Sequence, residues 1–489
     1  MTSKSTKRAL ITSALAILMC AAMLIGATFA WFTDTASTGV NKIVSGNLKV
    51  DIIGADSDSH IEKLNFTKAA TTDAEAGAEI LWEPGCRYLT EGFRIANKGN
   101  LALKWKAQVN TGTTAANEGN FDLLDVIDFY LVTKAADGTE TETALDVFTG
   151  NLKKTETSDV YYIKGVMQTT AGNDYQGLTL DGISITVVAT QDTVESDSFD
   201  NQYDKDAEYP ILVTTGDELQ AIVSNATAPV NIVLTNSITT NNFVIPADKD
   251  VTLDLNGRTV TNAGSHTILN KGHLTLTDSS ADKSGQIISL KGNTAALRNG
   301  DNAVCVVKGG TISRDGANGN TWHVVENFGK MTFNGGKVVL KNGNGFAITN
   351  GWNYFDPGAS TTHAVMEINA LELDTDSSGI KNCRYGDLTV NDVTVTSTGY
   401  WALSNDYLGT AVINGGTLTS NSFKAVSNGA AMTVNGGTFD GTEGFVVQSY
   451  ATSTVLNGGT FANMNVDALA SYVGTGHTAQ QSGTSVIIK

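Results

Sequence analysis

Acidic side chains and flat rings are the residues of this chain whose types and spacing suit chemistry on sugars. Asp374 and Asp376 alternate along one strand-like stretch, and Asp387 stands near Asp392 with Arg384 beside it. Two facing carboxylates at roughly 5–10 Å are what hydrolysis of a glycosidic bond requires. Acid pairs also arise on any solvated strand surface, so the pattern leaves catalysis and plain surface charge both open. The second set is aromatic: Trp322, Trp352, Tyr354, Phe355, Tyr385, Tyr407 and Tyr450. Exposed rings bind the C–H faces of sugars or a protein partner, or else pack on their own loops. Zinc chemistry lacks its ligands. No HExxH occurs, and between residues 31 and 210 the only histidine is His60, in the polar run Asp56-Ser57-Asp58-Ser59-His60, whereas a catalytic zinc takes three protein ligands rich in histidine. Without a DxDxDG loop, Walker loop, nucleophile motif or dinucleotide fingerprint, the only cofactor open is weakly held Ca2+.

A repeat must position these side chains. The pentapeptide NGGTF occupies 435–439 and 457–461, with NGGTL at 414–418, NGGKV at 334–338 and KGGTI at 308–312. Aligned on its first residue, the segments begin at Asn236, Asn256, Asp278, Lys308, Asn334, Asn369, Asn391, Asn414, Asn435 and Asn457, in steps of 20, 22, 30, 26, 35, 22, 23, 21 and 22. A period near 22 in strand-like text predicts a parallel β-helix, whose coils bury inward side chains only by stacking. About ten coils are expected over 211–489. Ile312, Val338, Leu373, Val395, Leu418, Phe439 and Phe461 should form one apolar column, and Phe333, Ile368, Val390, Ile413, Val434 and Leu456 another. The paired glycines between them read as a corner that a side chain would obstruct.

A second recurrence is Asn270, Asn327, Asn350, Asn382, Asn405 and Asn428, each closing an apolar run. Stacked asparagines form amide ladders and tolerate left-handed backbone; six aligned amides holding a ligand is the alternative. Open solenoid ends need caps. A helix over 215–223, with Thr215 and Glu218 spaced as a capping box, and the tail 466–489 are the candidates. The three long steps place insertions at 293–302, 314–321 and 351–362, where aromatics gather. Trp352, Tyr385, Tyr407 and Tyr450 each follow the recurring asparagine, or Gln448, by two or three residues, which lines them up on one face.

The rest of the chain frames this rod. At 489 residues at least two folded units are expected. Fifty glycines against five prolines, with abundant Thr, Val and Ile, describe an all-β protein. The formal charge is -18, and the only charges in residues 1–30 are Lys4, Lys7 and Arg8, so their removal leaves -18 - 3 = -21. Such a surface repels nucleic acid. The basic start, the apolar run 9–26 and Thr28-Phe29-Ala30 read as a secretory signal peptide over 1–30, cut before Trp31. An uncleaved membrane anchor is the alternative. After cleavage Cys86, Cys305 and Cys383 remain, an odd number that cannot pair fully. Alternating strands such as 48–52 and 183–187 predict a β-sandwich over 31–196, and the acidic, aperiodic 197–210 a linker.

The segment AWFTDTASTGVNKIVSGNLKVDI at 30–52, with ILWEPG at 80–85, FRIANKGNLALK at 93–104 and GLTLDGISI at 177–185, resembles the TasA/camelysin-like proteins of Gram-positive bacteria. The resemblance covers about residues 1–200. It implies export through a SipW-type signal peptidase, processing at Thr28, Ala30 and Trp31, a jelly-roll-like sandwich, and a place in surface fibres or biofilm matrix. It also implies that 31–40 adds as a strand to the next subunit; pairing within its own domain is the alternative. Some relatives carry a metallopeptidase label, which the single histidine disfavours. The solenoid resembles the pectate-lyase-like right-handed, single-stranded parallel β-helices, some of which are polysaccharide lyases or hydrolases. The reading is thus a secreted, cell-surface or matrix protein, an assembly module displaying an adhesin-like rod for a glycan or protein ligand. A polysaccharide lyase or glycoside hydrolase is the alternative. N-terminal sequencing of the exported protein should begin at Trp31, and an intact Met1 would overturn the leader.

Overall fold

The computed structural model describes residues 47–61, 64–67, 80, 82–110, 113–114, 121–145, 147–181, 184–192, 208–319, 321–352 and 362–489. The leader, its processing site and the 31–40 strand lie outside them.

The N-terminal part is built of antiparallel strands with alternating side chains. A seven-stranded sheet has Tyr161–Met167 between Ile127–Lys134 on one side and Arg87–Thr90 and Phe93–Asn97 on the other. A three-stranded sheet centres Leu103–Asn110 between Ser184–Gln191 and Phe148–Leu152. Phe93, Ile95, Leu131 and Ile163 from the first sheet meet Leu103, Trp105, Ala107 and Leu152 from the second in one core, which makes the arrangement a sandwich. Asn97 knits a turn at its rim. Its Nδ2 donates to the carbonyls of Leu101 at 2.7 Å and Lys153 at 3.1 Å, while its Oδ1 accepts the Gly99 N–H at 2.9 Å.

From residue 211 to 461 the chain winds as a right-handed parallel β-solenoid of about 10 turns. Each regular coil has three strands, as in Gly386–Val390, Thr394–Ser397 and Leu403–Asn405. Both expected columns are direct cross-strand neighbours: Ile312, Val338, Leu373, Val395, Leu418, Phe439 and Phe461 pair in succession, as do Phe333, Ile368, Val390, Ile413, Val434 and Leu456. All lie in a single buried cluster. The column ends in a phenylalanine plug, with Phe439 stacked on Phe461 at 4.9 Å and Phe445 edge-on to Phe461 at 5.7 Å.

In the coil at 334–338 the glycine corner falls inside one twelve-residue strand, Lys330–Lys341, with Gly336 at φ 92°, and the next coil turns the same corner without glycine inside Ala364–Thr375, where the register between the two shifts. Elsewhere Gly416, Gly437 and Gly459 take φ of 96°, 108° and 117°, which suits glycine rather than a residue with Cβ. The recurring asparagines form the ladder, with a seventh member, Asn299. From Asn270 through Asn299, Asn327, Asn350, Asn382 and Asn405 to Asn428, each Nδ2 donates to the next Oδ1 at 2.7–2.9 Å, with every member at most 1% exposed. A solvated second ladder joins the pentapeptide asparagines from Asn334 to Asn457, running the other way.

Both ends are closed. The helix Gly216–Asn225 starts on Thr215, whose Oγ1 accepts the Glu218 N–H at 3.2 Å, and buries Leu219 and Val223. The Glu218 carboxylate returns to the Thr214 N–H at 2.9 Å rather than to Thr215. Gln220 closes the exposed edge of Phe243–Ile245, its Nε2 donating to the Val244 carbonyl at 3.0 Å and its Oε1 accepting the Val244 N–H at 2.8 Å. At the other end the strand Ser485–Ile488 pairs antiparallel with Gly459–Phe461, placing Val486 over the plug. Phe439→Asp should cost at least the ~3–5 kcal/mol of a Phe truncation, with an unpaired buried charge added; an unchanged unfolding midpoint in urea would remove the column from the core.

Candidate functional site

The third strand of each coil is short, often three residues, so its outward surface is one side chain per coil on a strip about 10 Å wide. In register, that side chain is Leu269, Arg298, Glu326, Thr349, Lys381, Ser404, Ser427 and Val446. Glu326, Thr349 and Ser427 are recessed to 4–6% exposure. The strip is charged and self-paired. Glu326 accepts from Arg298 Nη1 at 3.1 Å and from Trp322 Nε1 at 3.0 Å, and Lys381 pairs with Asp406 at 3.1 Å.

Rings border this strip on both sides. On the corner leading into the third strand stand Trp322 and His323, then Phe346, then Tyr400 and Trp401, then Phe423, with Trp401 edge-on to Phe423 at 5.1 Å. On the corner leaving it stand Phe328 and Trp352, 4.5 Å apart, then Tyr385, Tyr407 and Tyr450. Of the aromatic candidates, Trp352, Tyr385, Tyr407 and Tyr450 lie on the trailing corner and Trp322 on the leading one. Tyr354 falls outside the described residues. Exposure differs along the rod, for Trp352 is 9% exposed whereas Tyr400, Tyr407 and Tyr450 are near half. Tyr450 lies across Gly429, where a Cβ would meet the ring at 2.5 Å.

The expected insertion at 293–302 is interrupted by a regular third strand, Leu297–Asn299, and the extra length of that coil is divided among the connections at 278–285, 290–296 and 300–303. Asp278 organises the first of these, accepting the Gly285 N–H at 2.7 Å and the Gly257 N–H at 2.9 Å.

The acidic residues are engaged by their own scaffold. Asp374 accepts from Lys341 Nζ at 2.8 Å, and Asp376 from the backbone N–H of Asn342 at 2.5 Å. Asp387 sits at the far corner, bound to His363 Nδ1 at 2.8 Å and to the Thr410 hydroxyl. Arg384 lies over the Tyr385 ring at 4.8 Å. Asp374 and Asp376 thus share one outward strand face, and Asp387 with Arg384 belongs to a different corner. Among the described residues no group of three or more His, Cys, Asp or Glu gathers as metal ligands do. Cys86, Cys305 and Cys383 are unbridged, and burial pushes the thiols of Cys305 and Cys383 up to about 12.

Sequence reading missed the leading row apart from Trp322, and the charges on the strip. Arg298, Glu326 and Lys381 occupy the position just before the ladder asparagine, a spacing visible once Asn299 joins the series. Trp401 and Phe423 precede their asparagines by four and five residues.

No protein-family model matches this chain, and no curated protein does. Among solved structures it is similar to the catalytic domain of a GH87 alpha-1,3-glucanase variant in complex with tetrasaccharides, at 11% identity and a TM-score of 0.21, over 83% of this chain and 99% of that one.

Two half-buried histidines give this region a pH dependence. His266 Nδ1 accepts the Ala295 N–H at 2.8 Å and His323 Nδ1 the Phe346 N–H at 3.2 Å. Burial holds both below the ordinary histidine value, against the opposing pull of Glu326. The unfolded chain takes up these protons below pH ~6.5 while the folded chain refuses them, so stability is lost as pH falls from there through the lowered folded values. The urea midpoint should drop between pH 7 and 5, and His266→Gln with His323→Gln should flatten the drop. An unaltered slope would assign it elsewhere.

Proposed function

We propose that this chain is a secreted cell-surface or biofilm-matrix protein of a Gram-positive-type bacterium, whose solenoid holds an extended glycan along its third strand face. The observation that supports this is the double row of rings, Trp322, Phe346, Trp401 and Phe423 against Phe328, Trp352, Tyr385, Tyr407 and Tyr450, on either side of a recessed polar strip. Rings take the apolar faces of sugars, and the strip offers hydroxyl, carboxylate and cationic partners for their hydroxyls. The coil repeat of ~4.8 Å is close to one extended sugar unit, so successive coils meet successive residues of a chain lying along the rod.

In the same reading the N-terminal sandwich is a TasA/camelysin-like assembly module, exported through a SipW-type signal peptidase and joined to its neighbour by residues 31–40. The motifs at 30–52 and 93–104 support it, together with the two packed antiparallel sheets. Retention at the surface then rests on assembly with neighbouring subunits.

The mature protein should select extended glycans on an array, and Trp401→Ala with Tyr407→Ala should weaken that binding at least ~10-fold, since each stacked ring is worth about 1 kcal/mol or more. Equal binding by the double variant would overturn the assignment of the face. Deleting 31–40 should abolish fibres in electron micrographs, and undiminished assembly would count against strand donation.

A further inference from the structure

Two successive turns on the trailing corner carry a feature that ring stacking alone does not require. They read Asn382-Cys383-Arg384-Tyr385-Gly386 and Asn405-Asp406-Tyr407-Leu408-Gly409. The fourth residue of each has left-handed backbone, with φ of 58° at Tyr385 and 60° at Leu408; Asn302 holds the matching place in an earlier coil at 61°. Asparagine adopts this conformation readily, whereas Tyr and Leu do so at a cost. Strain of this kind collects where a structure holds a side chain for use. Here it holds out Leu408, 38% exposed, beside Tyr407 at 47%.

Two buried donors near this turn lack partners among the described residues. Arg384 Nη2 donates to the Tyr385 hydroxyl at 3.1 Å, but among the described residues its buried Nε has no partner. Trp352 of the preceding coil, 9% exposed, also buries its indole N–H with none among them. The two residues are antiparallel bridge partners, the Trp352 N–H donating to the Arg384 carbonyl at 2.9 Å, and bridge partners send their side chains to the same side. The cations on the neighbouring strip are neutralised, Arg298 by Glu326 and Lys381 by Asp406. Among the described residues no carboxylate pairs with Arg384. The nearby acids are already occupied, Asp387 by His363 and Asp406 by Lys381.

We propose that the Arg384–Leu408 ledge is the subsite for an anionic sugar residue, Tyr407 and Leu408 taking its apolar face and Arg384 its carboxylate, sulfate or phosphate. A guanidinium presents several N–H groups in one plane and suits such oxyanions better than an ammonium does. The assignment rests on the glycan reading of the third face and narrows it to acidic polymers.

The mature protein should be titrated with a β-1,4-linked oligoglucuronate, a sulfated oligosaccharide, a phosphodiester-linked glycopolymer and neutral cellohexaose, each at low and high salt. At least one anionic probe should bind ten-fold or more tightly than cellohexaose at low salt and lose that margin at high salt; which one binds identifies the acid group. Arg384→Gln should erase the margin between the preferred anionic probe and cellohexaose. Leu408→Gly should raise the melting temperature, because it relieves the left-handed strain, while weakening the preferred probe at least three-fold. This second variant keeps the test alive should Arg384→Gln fail to fold, since a merely structural Leu408 would not trade stability against binding. Neutral binding with no anionic margin would overturn the subsite and leave the glycan face standing. Binding of none of the probes would overturn both.

Discussion

Parallel stacking of one coil on the next is the constraint from which the rest of the solenoid follows. Each strand hydrogen-bonds to its counterparts above and below, so any inward position becomes a column and must be uniform in chemistry or locally compensated. Apolar columns meet this by burial, as Ile312 through Phe461 do. The asparagine column meets it by reciprocity, since an amide gives with Nδ2 and receives with Oδ1 and so satisfies both neighbours at once. A single leucine in that series would orphan two buried groups, at about 1–3 kcal/mol each.

The same constraint frees the outward surface. Once the ladders fix the backbone, outward side chains and the corner loops contribute little to folding and can vary from coil to coil. Insertions therefore sit at the corners, and the charged series Arg298, Glu326 and Lys381 can occupy the third strand without disturbing its pairing. The Arg298–Glu326 ion pair, with Glu326 buried and Arg298 only half-buried, is weak evidence for stability.

Much of this was legible in the sequence because it is periodic. The columns and the amide ladder repeat every coil, so their chemistry appears as spacing, and the helical cap announced itself through Thr215 and Glu218. What sequence spacing hid was geometry between elements. It grouped Trp322 with Trp352 among the rings near the insertions, and distance along the chain does not tell that a whole third strand separates their corners. It read Asp374 and Asp376 as a possible reactive pair, because their claimants, Lys341 and the Asn342 N–H, come from the previous coil. Left-handed backbone at Tyr385 and Leu408 was likewise invisible, since residue type argues against it.

The inner ladder also bears on how such a rod can change length. Every internal amide presents the same donor upward and the same acceptor downward, so a duplicated or deleted coil would meet its new neighbours with matching halves. Rod length is consequently modular in whole turns, set by where the Gln220 clamp and the terminal strand Ser485–Ile488 are placed. A longer or shorter homologous rod would carry more or fewer rungs of its third-strand face while keeping both lids.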